Sequence, residues 1–241
     1  MTLVSFQHNF VYLRTRKTAS TSVEMYLQPF CMPAGQAVSE YNRRQIISDV
    51  GIVGRRLRDT SPPLHIRASG TMRRMLGRPN WRPHMSAQEV HANLPASFWS
   101  SALKVSSVRN PFARTVSSFF WFLALRDETI DEPMKLVSRF RYYVRNGRFH
   151  DDREIVTLDG QFLPDVLIRQ EHLAGDLAAL SERLGLDTSQ STLPVTKKTK
   201  SSDKAARPTL RAFYNDKTAD IVRERFAWAF EHGPYPLEVP E

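Results

Sequence analysis

Three observations on this sequence predict an α/β fold, a single domain with a central, mainly parallel sheet flanked by helices. Short apolar runs rich in β-forming residues are each followed by a turn and then by apolar residues at helical spacing, and this order recurs along the chain. Strands that alternate with helices run side by side in parallel and are covered on both faces. The length of 241 residues, with 41% hydrophobic and 10% aromatic residues, suits one sizeable core, so residues 1–241 are expected to form one domain.

The first unit of the pattern is Phe10-Val11-Tyr12-Leu13, a β-type run, then a polar loop, then Val23 to Leu27 with the apolar spacing of a helix. Residues at about 31–82 carry Pro33, Gly35, Gly51, Gly54, Pro62, Pro63, Gly70, Gly77 and Pro79. That punctuation predicts an elaborated insertion of irregular structure with short helices. Ser86 to Leu94 reads as a helix with Ser86 as N-cap and Glu89 completing a capping box, stopped by Pro95. Leu103 to Val108 is the second strand. Pro111 then occupies a first helical turn, and Val116, Phe119, Phe120 and Leu123 recur at helical spacing. Val166-Leu167-Ile168 is the third strand, followed by Leu173, Leu177, Leu180 and Leu184 on one helical face that ends at Gly185. Lys197 to Arg207, with five cationic residues and one acidic, is expected to be a loop before a final helix from Thr209 to Phe230.

Lys and Arg total 34 against 25 acidic residues, and the net charge of +9 favours phosphate, sulfate, anionic polysaccharide or nucleic acid as a partner without choosing among them. The single cysteine, Cys31, excludes an internal disulfide framework, and no Cys/His cluster has zinc spacing. Met1 to Phe10 lacks the charged start and apolar run of a signal peptide, and no later apolar stretch has the length of a membrane span. The expectation is a soluble, cytoplasmic protein; the lumenal part of a membrane-anchored enzyme would read the same way.

Thr15-Arg16-Lys17-Thr18-Ala19-Ser20-Thr21-Ser22 joins the first strand to a helix N-terminus, where unpaired backbone N–H groups and the helix dipole form an anion site. Five hydroxyl side chains and two cations converge there. The nucleotide-binding P-loop requires Gly-x-x-x-x-Gly-Lys-Ser/Thr, and this segment contains no glycine, which disfavours an ordinary ATP or GTP site. A Ser/Thr-rich cap preceded by solvated cations is the alternative reading.

A second strand-to-helix junction is built from Arg109-Asn110-Pro111-Phe112-Ala113-Arg114-Thr115-Val116-Ser117-Ser118, with Arg109 at a strand's end and Ser117 two turns into the helix. Together the two segments resemble those of sulfotransferases that use 3′-phosphoadenosine 5′-phosphosulfate. Lys17 to Ser22 looks like their 5′-phosphosulfate loop, and the Arg-Asn-Pro-x-x-Arg-x-x-Ser-Ser run looks like their 3′-phosphate motif. Arg169 to Leu173 through Gly185, the Lys200-Ser201-Ser202 segment and Phe213-Tyr214 are similar to carbohydrate-type members, the sulfotransferase family 2-like group. The chain departs from the family at Ala19, where glycine is usual, at Ala229, where an acid is frequent, and at Gly233-Pro234-Tyr235.

The resemblance implies a P-loop-kinase-like sulfotransferase architecture and no metal. It implies that Arg16, Lys17, Thr18, Ala19, Ser20, Thr21 and Ser22 hold the 5′-phosphosulfate, that Arg109 and Ser117 grip the 3′-phosphate, and that Lys200, Ser201 and Arg207 add nucleotide contacts. Adenosine 3′,5′-bisphosphate would be the product. Sulfuryl transfer resembles phosphoryl transfer, so a cation must meet the charge that builds on the leaving oxygen, and Lys17 fits. A base must take the acceptor's proton: His84, before a helix N-cap and between the motifs, is the first candidate, Glu89 the second, with His65 and Glu24 behind and His91 read as a surface residue. The implied acceptor is a hydroxyl of a carbohydrate, glycolipid or other glycoconjugate. Residues 43–82 hold ten arginines, no lysine and only Asp49 and Asp59, which suits an anionic acceptor and equally a solvated face. A P-loop-type kinase and a noncatalytic polyanion-binding module are the rival classes; no nucleic-acid partner is expected.

Overall fold

The computed structural model describes residues 1–57, 79–147, 149–194 and 208–241. His65, Arg58, Arg67, Arg73, Arg74, Arg78, Lys200, Ser201 and Arg207 lie outside the described residues.

In chain order, β1 (Leu3–Ser5) and β2 (Phe10–Leu13) form an antiparallel hairpin with Leu3 opposite Tyr12, and α1 (Ser20–Leu27) follows. Two short strands come next, β3 (Ile46–Ile47) and β4 (Gly51–Val53). Helices α2 (Ala87–His91) and α3 (Ala96–Ser101) lead into β5 (Leu103–Val108) and α4 (Pro111–Ala124). Then come α5 (Pro133–Arg145), α6 (Arg153–Val156), the β6–β7 hairpin (Thr157–Leu158 and Gln161–Phe162), β8 (Val166–Arg169) and α7 (Leu173–Leu184). The chain ends in α8 (Leu210–Phe213), α9 (Asp216–Arg225) and α10 (Ala227–His232). Among the described residues, no helix is long and apolar enough to cross a membrane.

The fold is α/β with a six-stranded sheet in the order β3-β4-β1-β2-β5-β8. β2 and β5 run parallel, with Leu13 opposite Ser106, while β1 pairs antiparallel with both β2 and β4, and β3 antiparallel with β4. The sheet is therefore mixed, where the sequence pattern predicted a mainly parallel one. Of the antiparallel strands, β3 and β4 come from the segment expected to be irregular, and Gly51 shows why. A Cβ at that position would stand 2.2 Å from the Val4 carbonyl oxygen, so the glycine permits β4 to lie against β1 and is not a breaker.

The chain groups into two compact units: Met1–Ser107 with Glu154–Thr196, and Val108–Arg153 with Lys197–Glu241. In the first, α1 and α7 cover the sheet through Val23, Leu27, Leu177 and Leu180, which share a core with Phe10, Tyr12, Val105 and Ile168. The left-handed Gly185, φ 60°, ends α7 as its leucine periodicity predicts.

The second unit has an aromatic core in which Phe140 meets Phe119, Phe213 and Tyr214 at ring separations of 5.4, 5.1 and 5.0 Å. Buried Arg114 pairs with Asp152 at 2.5 Å and lies over the Phe226 ring at 4.6 Å. The expected final helix is three helices, because Asn215 accepts from the Thr218 N–H at 3.0 Å and so starts a new helix with its own capping box.

Candidate functional site

In the first unit β2 delivers the chain into the Thr15–Ser22 loop. Two residues of that loop have left-handed backbone, Lys17 at φ 63° and Ala19 at φ 55°. Left-handed residues at alternate positions are the pattern of backbone concavities that present N–H groups to an anion. Ala19 serves as N-cap of α1 with no side-chain cap; its carbonyl accepts from Ser22 N–H at 2.9 Å and Val23 N–H at 3.3 Å.

A hydroxyl network braces this conformation from below. Thr15 Oγ1 donates to the Ser107 carbonyl at 2.5 Å and meets Thr18 Oγ1 at 2.9 Å, and Ser107 Oγ reaches Thr18 Oγ1 and Tyr12 OH at 2.8 Å each. Thr15, Thr18 and Ser107 are fully buried. The Thr18 hydroxyl thus points into the protein, toward Thr15 and Ser107. Ser20, Thr21 and Ser22 form the first turn of α1 and are nearly buried, with Thr21 Oγ1 accepting from Arg14 at 3.3 Å and Arg56 at 3.2 Å.

Beneath α1 the fully buried Glu24 gathers three cations: the Met1 amino group at 2.5 Å, Arg14 Nε at 3.0 Å and Arg56 Nη1 at 3.9 Å. Arg56 also reaches Glu40 at 3.2 Å. Burial pushes the Met1 amino group well below its ordinary range and lowers the Arg14 guanidinium as well. Glu24 is therefore a counter-ion inside the fold, which answers its candidacy as a base with a structural job. Sequence reading gave no role to Arg14 and assigned Arg56 to the acceptor side; nothing local in the sequence announces that either one meets Glu24.

His84 sits against the loop although 70 residues separate it from its partner there: its Nδ1 lies 3.0 Å from the Arg14 carbonyl oxygen. A carbonyl only accepts, so Nδ1 carries the proton and Nε2 keeps the lone pair. The backbone of His84 is also left-handed, φ 57°. Burial, followed by the Arg14 and Arg16 charges, lowers the His84 pKa to about 2. Glu89 is occupied elsewhere. It completes the capping box, accepting from Ser86 N–H at 3.0 Å, and pairs with Arg82 at 2.5 Å. His91 packs on Trp99 at 5.1 Å.

In the second unit Arg109 follows the end of β5 and is half-buried, Asn110 caps α4 by accepting from Phe112 and Ala113 N–H, and Ser117 is half-buried in the second turn. The two arginines of this motif differ in kind. Arg114 is 2% exposed, tied to Asp152 and to the His150 and Asp151 carbonyls at 3.3 Å, and is a structural residue. Of the arginines expected on the acceptor side, Arg43 and Arg44 are exposed. Comparison of the chain with protein-family models, with curated proteins and with solved structures yields no match in any of the three.

Proposed function

We propose that the chain is a sulfotransferase that moves the sulfuryl group of 3′-phosphoadenosine 5′-phosphosulfate to a hydroxyl of a carbohydrate or glycoconjugate. The observation that carries the reading is a Lys17-bearing loop, with left-handed backbone at Lys17 and Ala19, that enters a helix N-terminus and has held against it a histidine whose Nε2 is left as proton acceptor. The residues fit the donor: Ala19 adds only a methyl group where the backbone must approach a phosphate, and the first turn of α1 supplies Ser20, Thr21 and Ser22.

The donor brings an activated sulfuryl group whose leaving oxygen gains charge during in-line displacement. Lys17 would meet that charge, with Arg16 as its neighbour in the chain. His84 takes the acceptor's proton at Nε2, which its bond to Arg14 leaves available. On the sequence motif, Arg109 and Ser117 bind the 3′-phosphate. The exposed Arg43 and Arg44 favour an anionic acceptor, since guanidinium binds carboxylate and sulfate bidentately.

Thermal denaturation with adenosine 3′,5′-bisphosphate and no added metal tests the donor site. At a hundredfold excess over Kd the ligand should stabilise the fold by about 2.7 kcal/mol, and Arg109→Ala should remove most of that gain. Labelled donor offered with a panel of saccharides, lipids and phenols then identifies the acceptor. No stabilisation at millimolar bisphosphate, with salt-sensitive polyanion binding that the nucleotide does not displace, would replace the enzyme by a binding module.

A further inference from the structure

We propose that the solvent face of α5 pairs with the same face of a second copy of this chain, the two helices running antiparallel about a two-fold axis at Ser138. The inference stands apart from the donor-site reading above and rests on the second compact unit alone.

The face is what remains once the core has taken its share of the helix. Leu136, Phe140, Tyr143 and Val144 are buried, and at about 100° per residue Met134, Ser138, Tyr142 and Arg145 fall together on the opposite side. Met134 is 82% exposed and Tyr142 55%. With Ile130, Lys135, Ser138 and Arg139 they line an open groove of about 480 Å³. Large apolar side chains gathered on one stripe mark a contact surface, where single scattered ones would not.

The charges and their spacing identify the occupant. Glu132 pairs with Lys135 at 2.7 Å and Glu128 with Arg139 at 2.8 Å. Among the described residues, Asp131 before the helix and Arg145 at its end are exposed and have no ion-pair partner, Arg145 Nε donating to the Arg141 carbonyl at 3.3 Å. Asp131 and Arg145 stand at equal distances in sequence on either side of Ser138, and so do Met134 and Tyr142. A two-fold axis at Ser138 therefore sets Asp131 against Arg145 of the second copy and Met134 against its Tyr142, and the symmetry makes each contact twice. A thioether packs favourably on an aromatic ring, and the small Ser138 at the crossing lets the two helix axes approach. The same charges disfavour a lipid surface: an anionic bilayer selects a cationic cluster, whereas Asp127, Glu128, Asp131 and Glu132 all precede this helix. One helix face is a small interface, so the dimer should be weak and in exchange with the monomer.

Sedimentation equilibrium of the full chain from about 5 to 300 μM should show the mass rising from 27.7 kDa toward twice that value. Met134→Glu changes an exposed side chain, so Tm should hold while self-association weakens by about tenfold or more. Asp131→Arg and Arg145→Asp should each weaken it as well, since like charges then oppose one another at both ends of the interface, and the two combined in one chain should restore affinity to within about threefold of the wild type. Mixing the two single variants separates a pairing defect from a folding defect. The mixture should associate more tightly than either variant alone, because each then offers the charge that the other lacks. A wild type that stays monomeric across the range, association indifferent to Met134→Glu, or a mixture no stronger than its components overturns the proposal. Binding of a monomeric wild type to phosphatidylserine vesicles, lost in Met134→Glu, would overturn it too and assign the face to a membrane.

Discussion

Replacing His84 by Asn should flatten the acid side of the protein's stability curve. In an unfolded chain an imidazole titrates near its ordinary pKa of 6.5, whereas in the fold burial and the Arg14 and Arg16 charges lower it to about 2. Above pH 6.5 both states leave the ring neutral and it has no influence on stability. Between the two values only the unfolded chain takes up the proton, so acid draws the equilibrium toward unfolding at up to about 1.4 kcal/mol per pH unit. From pH 7 to pH 5 the integrated loss is about 2 kcal/mol, and it is insensitive to the folded value because that value lies well below the window. For a chain of 241 residues this corresponds to roughly 4–8 °C in Tm. Asn is a suitable replacement: it tolerates left-handed backbone, its amide N–H can donate to the Arg14 carbonyl, and it does not titrate. Scanning calorimetry of both proteins at pH 7 and pH 5, at one ionic strength, measures the difference. The wild type should lose several degrees more than the variant. Melting curves that fall in parallel would mean that the folded ring titrates near 6.5 and that the loop's positive field does not reach it.

Three further outcomes test other parts of the reasoning. Lys17→Ala should lower sulfuryl transfer from labelled donor by about a hundredfold or more while bisphosphate affinity changes less than tenfold, because its interaction strengthens as charge develops; equal losses would make Lys17 a binding residue only. Ala19→Gly should raise stability by up to about 1 kcal/mol, the relief of left-handed strain exceeding the added entropy of the unfolded chain, and a clear drop in Tm would contradict the loop geometry. Asp152→Asn preserves the left-handed backbone at φ 63° but leaves the buried Arg114 charge uncompensated, at a cost of about 3–5 kcal/mol read from denaturant titration; a near-neutral effect would show that the pair is replaceable.

The strand, loop and helix units around Thr15, Arg109 and Ile168 were legible because each is specified locally. Apolar spacing sets the element, and Pro111, Ser86 or Gly185 marks one of its ends. β1, β3 and β4 were not legible, because strands of two or three residues have no period to detect and are defined by partners far along the chain. α5 escaped notice for a different reason: in Pro133 to Arg145 arginines alternate with aromatic residues, and its buried face, Leu136, Phe140, Tyr143 and Val144, emerges only once helical phase is assumed. At the site, sequence could place His84 between the motifs but could not orient it. The inward turn of the Thr18 hydroxyl, the Glu24 cluster and the Arg114–Asp152 pair all depend on contacts between distant segments.

The left-handed backbone of the described residues singles out the loop. Among the described residues seven non-glycine residues have positive φ, and five of them are Asn, Asp or His, the types that adopt this conformation most readily. The other two are Lys17 and Ala19, both in the loop, and the one histidine of the five is His84, whose ring bonds to the loop's first carbonyl neighbour. Strain of this kind persists only where the surroundings over-determine it. Here they do so twice, through the hydroxyls of Tyr12, Thr15, Thr18 and Ser107 and through the ion cluster that fixes Arg14 to Glu24. A glycine at position 19 would relax this strain. The bracing is the arrangement required if backbone N–H groups must hold one fixed concavity before the anion arrives, because preorganised dipoles stabilise developing charge without having to reorient.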